Sequence, residues 1–317
     1  VKDDLDDTRI PLMGVVGAFI FAAQMINFTI PGTGSSGHLG GGMILAILLG
    51  PYAGLLTMAS VLAVQALFFA DGGLMALGCN IFNLGFFPCF IAYPLIFKKF
   101  AGPTLSEKRL FAAAIVSAIV ALQLGALSVV LQTLFSGVTE LPFDTFVLLM
   151  QPIHLAIGII EGLATSAVVL FVWKARPEIV KAMNTSAPSG KPSMRKLMIG
   201  LLAAAVVTGG VLSWFASSNP DGLEWAIFKT AGTDDLATPQ KGIHTALAKF
   251  QEKTALLPDY DFKLKKNEQP AETPQSEPVV ETGKTVSGLV GGALTLLLAG
   301  LLGFALKRRK KKPEPDR

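Results

Sequence analysis

The chain has 317 residues, 51% of them hydrophobic and only 16% charged, with a formal net charge of +4 and a mean hydropathy of +0.53. Soluble domains carry about 25% charged residues, so this composition excludes an ordinary soluble enzyme. The small positive balance lies in Lys and Arg clusters between apolar runs and gives no footprint for nucleic acid or for an acidic substrate.

The opening, Val1-Lys2-Asp3-Asp4-Leu5-Asp6-Asp7, is hydrophilic and has no signal-peptide apolar core. Apolar runs then predict helices at about 10–29, 38–50, 54–70, 75–97, 110–135, 145–173, 195–216 and 286–306. Cys79 and Cys89 share one run. Ten residues of helix hold them about 15 Å apart, too far for a disulfide, and both read as buried small hydrophobes.

From Ile10 to Phe97 the only formally charged residue is Asp71, and this region contains Pro31-Gly32-Thr33-Gly34-Ser35-Ser36-Gly37-His38-Leu39-Gly40-Gly41-Gly42. A bilayer admits non-helical backbone only where protein or a polar cavity receives it. The glycine segment therefore predicts a polar site near the membrane, with His38 as its one strong ligand.

Basic clusters orient the helices. Lys98, Lys99, Lys108 and Arg109 mark one inside loop, Lys174, Arg176, Lys181, Lys191, Arg195 and Lys196 a second, and Lys307 to Lys312 an inside C-terminus. For both the start of the chain and Lys98 to lie inside, segment 38–70 must cross twice. It does so as a hairpin broken at Gly50-Pro51-Tyr52-Ala53-Gly54, whose short first leg reads as a discontinuous helix of the kind that builds transporter sites. Asp71-Gly72-Gly73 then forms an outside turn. A linker, Thr185 to Pro192, leads to a unit with two spans and an outer insert at about 217–285, whose second half (Pro258 to Gly283) has linker composition.

Some motifs are discounted. Gly32-x-Gly34-x-x-Gly37 lacks the βαβ setting and the later acidic residue of a dinucleotide fingerprint, and Gly283-Lys284-Thr285 has Pro278 where a P-loop needs its first glycine. His154 and Glu161 lie seven residues apart on one helical face. His154 reads as an interfacial residue, and Glu161 as a packing partner or a cation relay. His244 reads as a solvated surface residue. Gln24, Asn27, Gln65, Asn80 and Asn83 read as interhelical hydrogen-bonding groups, the alternative being a shell that orients His38. Gly14, Ala18 and Ala22 form a small-residue stripe for close helix approach, either internal or toward another membrane subunit.

The His38 loop, with Ala70-Asp71-Gly72-Gly73, Gly78-Cys79-Asn80-Ile81-Phe82-Asn83 and Asn219-Pro220-Asp221-Gly222-Leu223-Glu224-Trp225, resembles the substrate-binding component of nickel/cobalt energy-coupling-factor transporters, the NikM/CbiM type. The segment from Pro220 resembles the small NikN/CbiN partner, whose outer loop carries Pro-Asp-Gly-Leu-Glu. The resemblance implies an all-α polytopic membrane protein with about six spans in a metal-binding unit at 1–175. A linker at 176–194, a two-span unit at 195–306 and a basic tail at 307–317 follow. It implies a Ni2+ or Co2+ cargo, nickel slightly favoured, held between the free N-terminus, a His at the second position and a loop histidine that His38 matches. Gly34, Gly37, Gly40 and Gly41 would let the backbone close on the ion. Asp221 and Glu224, carboxylates beside Trp225, read either as a solvated turn with an interfacial Trp or as groups that pack over the pocket and help load the metal. Family members begin Met-His before an extra first span, so the chain looks short by about one helix. The implied partners are a transmembrane coupling protein and two ATP-binding subunits, so this chain is no enzyme. The implied place is a prokaryotic cell membrane with the C-terminus cytoplasmic. Competing readings are an intramembrane serine hydrolase using Ser36 and His154, and a regulatory membrane subunit that binds no metal.

Overall fold

The computed structural model describes residues 9–137, 141–185, 194–233, 242–262 and 281–308. The protein is an all-α polytopic membrane protein. Among the described residues, helices at Pro51–Phe69, Leu77–Ala101, Glu107–Ser136, Phe143–Ala175 and Thr282–Lys307 are long and apolar enough to cross a membrane, and Arg9–Gln24 is a shorter apolar helix.

Helix α1 (Arg9–Gln24) ends before the expected position 29, because the chain turns at once into strands β1 (Phe28–Ile30) and β2 (Ser35–Gly37). The short helix α2 (Gly42–Leu49) starts at Gly42 rather than 38, since the glycines before it are drawn into other bonds. Its eight residues span about 12 Å, less than half a bilayer core. Gly50 at φ 83° and Pro51 at the first position of α3 (Pro51–Val64) break and restart the helix. A Cβ on Gly54 would lie 3.1 Å from the Leu45 carbonyl carbon, so α3 folds directly back on α2 as the sequence predicts.

Helix α3 continues through a π-helical turn, Gln65–Phe69. Helix α4 (Leu77–Ile81) runs into a π-helical stretch, Phe82–Phe97, and then α5 (Lys98–Ala101). Pro88 and Pro94 lie inside that stretch; each lacks an N–H and crowds the preceding turn, which favours the wider winding. Cys89 is buried as expected, but Cys79 is exposed, on a helix none of whose residues is buried.

Helices α6 (Glu107–Ser136) and α7 (Phe143–Ala175) pack along each other, with Ala and Gly at the contact. A Cβ at Gly162 would come 2.8 Å from the Ile115 Cα, and one at Gly158 3.2 Å from the Ile119 Cα. Small residues let the backbones meet in the absence of a hydrophobic driving force between lipid-bathed helices. Helix α8 (Pro177–Thr185) follows; the rest of the expected linker, 186–193, lies outside the described residues.

The second part of the chain is built around α1. Helices α9 (Arg195–Gly210) and α12 (Thr282–Arg308) both pack on it. The stripe Gly14, Ala18 and Ala22 is the contact: a Cβ on Gly14 would sit 2.8 Å from the Leu296 carbonyl oxygen, Gly292 lies over Ala18, and Gly209 reaches Ala22. The stripe is internal. Helix α9 stops at Gly210 rather than 216, closing in a 3-10 turn at Leu212–Phe215.

The insert holds α10 (Gly222–Ala231), α11 (Ile243–Thr254) and a turn at Pro258–Tyr260. Leu256 and Leu257 N–H donate to the Phe68 carbonyl at 2.9 and 3.2 Å, and the Tyr260 ring stacks on Phe69 at 5.1 Å. The expected linker from Pro258 thus begins as a strap bound to the end of α3, while 263–280 lie outside the described residues.

Candidate metal site

The glycine segment is a β-hairpin followed by a helix start. Phe28 faces Gly37, Thr29 faces Ser36 and Ile30 faces Ser35, with the turn carried by Gly32 and Gly34 at φ 77° and 74°. After β2 the chain passes His38 and enters α2 through Gly41 at φ 75°. The first N–H groups of a helix have no partner within it and carry its positive end. Here Glu161 from α7 supplies one. Its Oε2 accepts from Gly40 N–H at 2.9 Å and its Oε1 from Gly41 N–H at 3.0 Å, and the residue is 2% exposed. A Cβ on Gly40 would lie 3.0 Å from Oε2, so glycine there lets the carboxylate approach.

The N–H groups of Gly40 and Gly41 are thus held by Glu161. Of the two roles the sequence leaves open for Glu161, its bonds make it a packing partner of the loop, and it occupies the anion position at the start of α2, offsetting that helix end. The Gly40 carbonyl in turn accepts from Gln24 Nε2 at 2.8 Å, and Gln24 Oε1 accepts from Gln65 Nε2 at 2.9 Å. The buried glutamines thus fix the loop from its other side.

A cavity of about 480 Å3 lies against this loop, lined among others by His38, Gln65, Asp71, His154, Asp221 and Glu224. His38 Nδ1 is 3.2 Å from the Leu39 carbonyl oxygen, and His154 Nδ1 is 2.8 Å from the Met150 carbonyl oxygen. A carbonyl only accepts, so Nδ1 is the donor in both rings, and in the neutral form of either ring the lone pair lies on Nε2. Among the described residues no three His, Cys, Asp or Glu side chains form a chelating group.

Asn80 and Asn83 line the cavity but do not bond His38. Asn83 exchanges hydrogen bonds with Gln132 (3.2 and 3.1 Å), and Asn80 Nδ2 donates to the Gly72 carbonyl at 3.5 Å. His244 lies on α11 and does not line the cavity. Gly37 packs against Ile157, and Gly34 sits at the open hairpin tip.

The segment Ser217–Trp225 closes over the hairpin. Ser217 N–H donates to the Asn27 carbonyl at 2.7 Å, Thr29 Oγ1 to Ser217 Oγ at 2.9 Å and Ser36 N–H to the Pro220 carbonyl at 2.7 Å. Trp225 Nε1 donates to the Thr33 carbonyl at 3.0 Å. Asp221 caps α10: its Oδ1 accepts from Leu223 and Glu224 N–H at 2.8 and 2.9 Å, while Glu224 Oε2 accepts from Asp221 N–H at 3.2 Å. This reciprocal capping box sets both carboxylates at the cavity mouth. The Ser36 hydroxyl, fully buried, donates to the Asn219 carbonyl at 2.8 Å. With Ser36 tied there and His154 Nδ1 tied to Met150, the pair needed by a serine hydrolase is not assembled.

A contact that the sequence does not reveal lies at the strap. The Tyr260 hydroxyl donates to the Asp71 carboxylate. Burial first, and then the charge of Asp71, hold that hydroxyl well above the usual tyrosine value. Tyr260 and Asp71 line the same cavity as His38.

Comparison with known proteins agrees with this architecture. Residues 1–179 match the family described as the cobalt uptake substrate-specific transmembrane region, and residues 195–308 match the PDGLE domain. The chain is 32% identical over 304 residues to a putative fused nickel transport protein NikMN of Archaeoglobus fulgidus, which covers 94% of this chain and 85% of that protein. It is 29% identical over 323 residues to the fused nickel transport protein NikMN of Rhodobacter capsulatus, with 94% and 87% covered. A putative metal transport protein of Haloquadratum walsbyi is 42% identical over 179 residues, 56% of this chain and 79% of that protein.

Proposed function

Because the chain belongs to the cobalt uptake substrate-specific transmembrane family and carries a PDGLE domain, we propose that it is the substrate-capture component of an ATP-driven importer of energy-coupling-factor type, with nickel as the favoured cargo over cobalt. Its ATP-binding subunits and transmembrane coupling protein are separate chains. His38 is the metal ligand contributed by the glycine hairpin. The observation that carries this reading is the placement of His38, with Nδ1 bonded to the Leu39 carbonyl, on a cavity whose polar frame is fixed by Glu161, Gln24 and Gln65 and roofed by the Asp221 segment. Neutral imidazole suits Ni2+ and Co2+ far better than it suits hard cations.

The unit at 1–175 holds the ion, and the unit at 195–306 covers it through Ser217–Trp225. The tail at 307–317 is cytoplasmic, as its Lys and Arg run supports. The protein thus sits in the cytoplasmic membrane of a prokaryote. Nickel or cobalt uptake by cells carrying the complete transporter tests the assignment. His38→Ala abolishes uptake while the protein still inserts in the membrane; uptake at the wild-type rate by that variant removes His38 from the site.

A further inference from the structure

Two imidazoles, not one, share the cavity. His154 comes from α7 and His38 from the hairpin, and each has Nδ1 tied to a backbone carbonyl, at 2.8 and 3.2 Å. A carbonyl at Nδ1 is the arrangement that fixes a metal-binding histidine's tautomer and raises the basicity of Nε2. The His154 ring lies directly under the roof: a Cβ added at Gly222 would be 3.3 Å from its Cε1. Asp221 and His38 line the same cavity as His154. Both capping bonds to Asp221 fall on Oδ1. The chain thus sets, at one cavity, an anion at the mouth, an imidazole beneath it and a second imidazole on the loop.

We propose that His154 is a transit ligand for the incoming divalent transition-metal ion, which Asp221 draws to the mouth and His154 holds beneath the roof before it reaches His38. The three side chains do not form a joint chelate among the described residues. They are successive stations, each offering one donor, so the ion is never held so tightly that it cannot move on. A carboxylate at the mouth gathers the hydrated cation electrostatically, and an imidazole next along exchanges one water at a time for nitrogen. The role rests on the reading of His38 as the final ligand.

The test follows Ni2+ binding to the intact protein in stopped flow, by quenching of Trp225 in a Trp173→Phe, Trp214→Phe background. His154→Asn keeps an amide N–H for the Met150 carbonyl and removes the Nε2 donor. Asp221→Asn keeps an oxygen for the α10 cap and removes the charge. Each slows binding about tenfold or more, within the range electrostatic and docking effects have on association, and leaves the equilibrium amplitude and midpoint unchanged. Raised salt slows the wild type but much less the Asp221→Asn variant. Binding at the wild-type rate in either variant overturns the proposal. So does loss of the equilibrium amplitude in folded His154→Asn, which would make His154 a permanent ligand. His38→Ala separates the two readings: it removes the amplitude if His38 is the final ligand, and an amplitude that survives refutes that assignment whatever His154 does. Should His154→Asn not fold, Asp221→Asn and His154→Gln carry the same comparison.

Discussion

Replacing Glu161 by Gln changes one oxygen into an NH2 group at the start of α2. In the wild type both carboxylate oxygens accept, from Gly40 N–H at 2.9 Å and Gly41 N–H at 3.0 Å, in a residue 2% exposed. In Glu161→Gln one oxygen still accepts, but the NH2 group faces the other glycine's N–H, donor against donor. A buried N–H left without a partner costs about 1–3 kcal/mol, and the surviving bond loses its charge assistance. The negative charge that offset the positive end of α2 is lost as well. The loop then opens more readily by about 1–3 kcal/mol, which is about 5- to 150-fold in the opening equilibrium, at 1.4 kcal/mol per factor of ten. Amide hydrogen exchange, read by mass spectrometry on peptides covering 36–45, reports that opening directly. Exchange in those peptides should rise by that factor, while peptides in α6 stay unchanged. An exchange rate within twofold of wild type would refute the account of Glu161 as the clamp on the hairpin.

Further outcomes are expected. Gly41→Ala places a Cβ 2.7 Å from the Ile20 Cγ2 at φ 75°; left-handed backbone and overpacking together cost about 2–5 kcal/mol, seen as a marked fall in the detergent thermal midpoint, whereas Gly34→Ala at the open tip loses only the backbone part. Tyr260 has its hydroxyl value raised, so its bond to Asp71 contributes fully below about pH 10, the unfolded tyrosine value, and is lost as pH rises through the higher folded value. Phenolate absorbance of the folded protein should show one late-titrating tyrosine, absent in Tyr260→Phe. For orientation, cysteines placed singly at Ser218 and Lys312, in a background without Cys79 and Cys89, should differ with an impermeant thiol reagent in whole cells. Labelling at the Lys312 position alone would invert the topology.

What the sequence revealed followed from local signals. The apolar runs located the helices, Gly50-Pro51 located the break between α2 and α3, and the glycine segment marked the non-helical backbone. Local signals failed where a partner lies far along the chain. Nothing near Gly40 names Glu161, which is 121 residues away, and nothing near Ser36 names Asn219, 183 residues away. The His154 and Glu161 spacing put both on one face of α7, the trace that could have pointed to the hairpin beneath them. The two strands escaped notice because Thr-Ile-Pro-Gly-Thr-Gly-Ser-Ser-Gly has turn composition throughout and only three residues pair on each side. The strap at Leu256 to Tyr260 was hidden by linker-like neighbours; its order comes from the Phe68 carbonyl and the Phe69 ring, which composition does not record.

The clasp between the hairpin and the Ser217–Trp225 segment joins positions within one polypeptide. Each of its hydrogen bonds contributes about 0.5–1.5 kcal/mol net, so as a contact between separate proteins it would stand largely empty at cellular concentrations. Covalent connection replaces bimolecular encounter by an effective concentration, and the grip of α9 and α12 on α1 keeps the segment above its target. Closure is consequently a first-order process. The fraction of molecules with the roof shut does not fall on dilution, does not depend on matched expression of two subunits, and returns after each opening without any partner having to diffuse back. A roof assembled this way can be made of contacts that are individually weak.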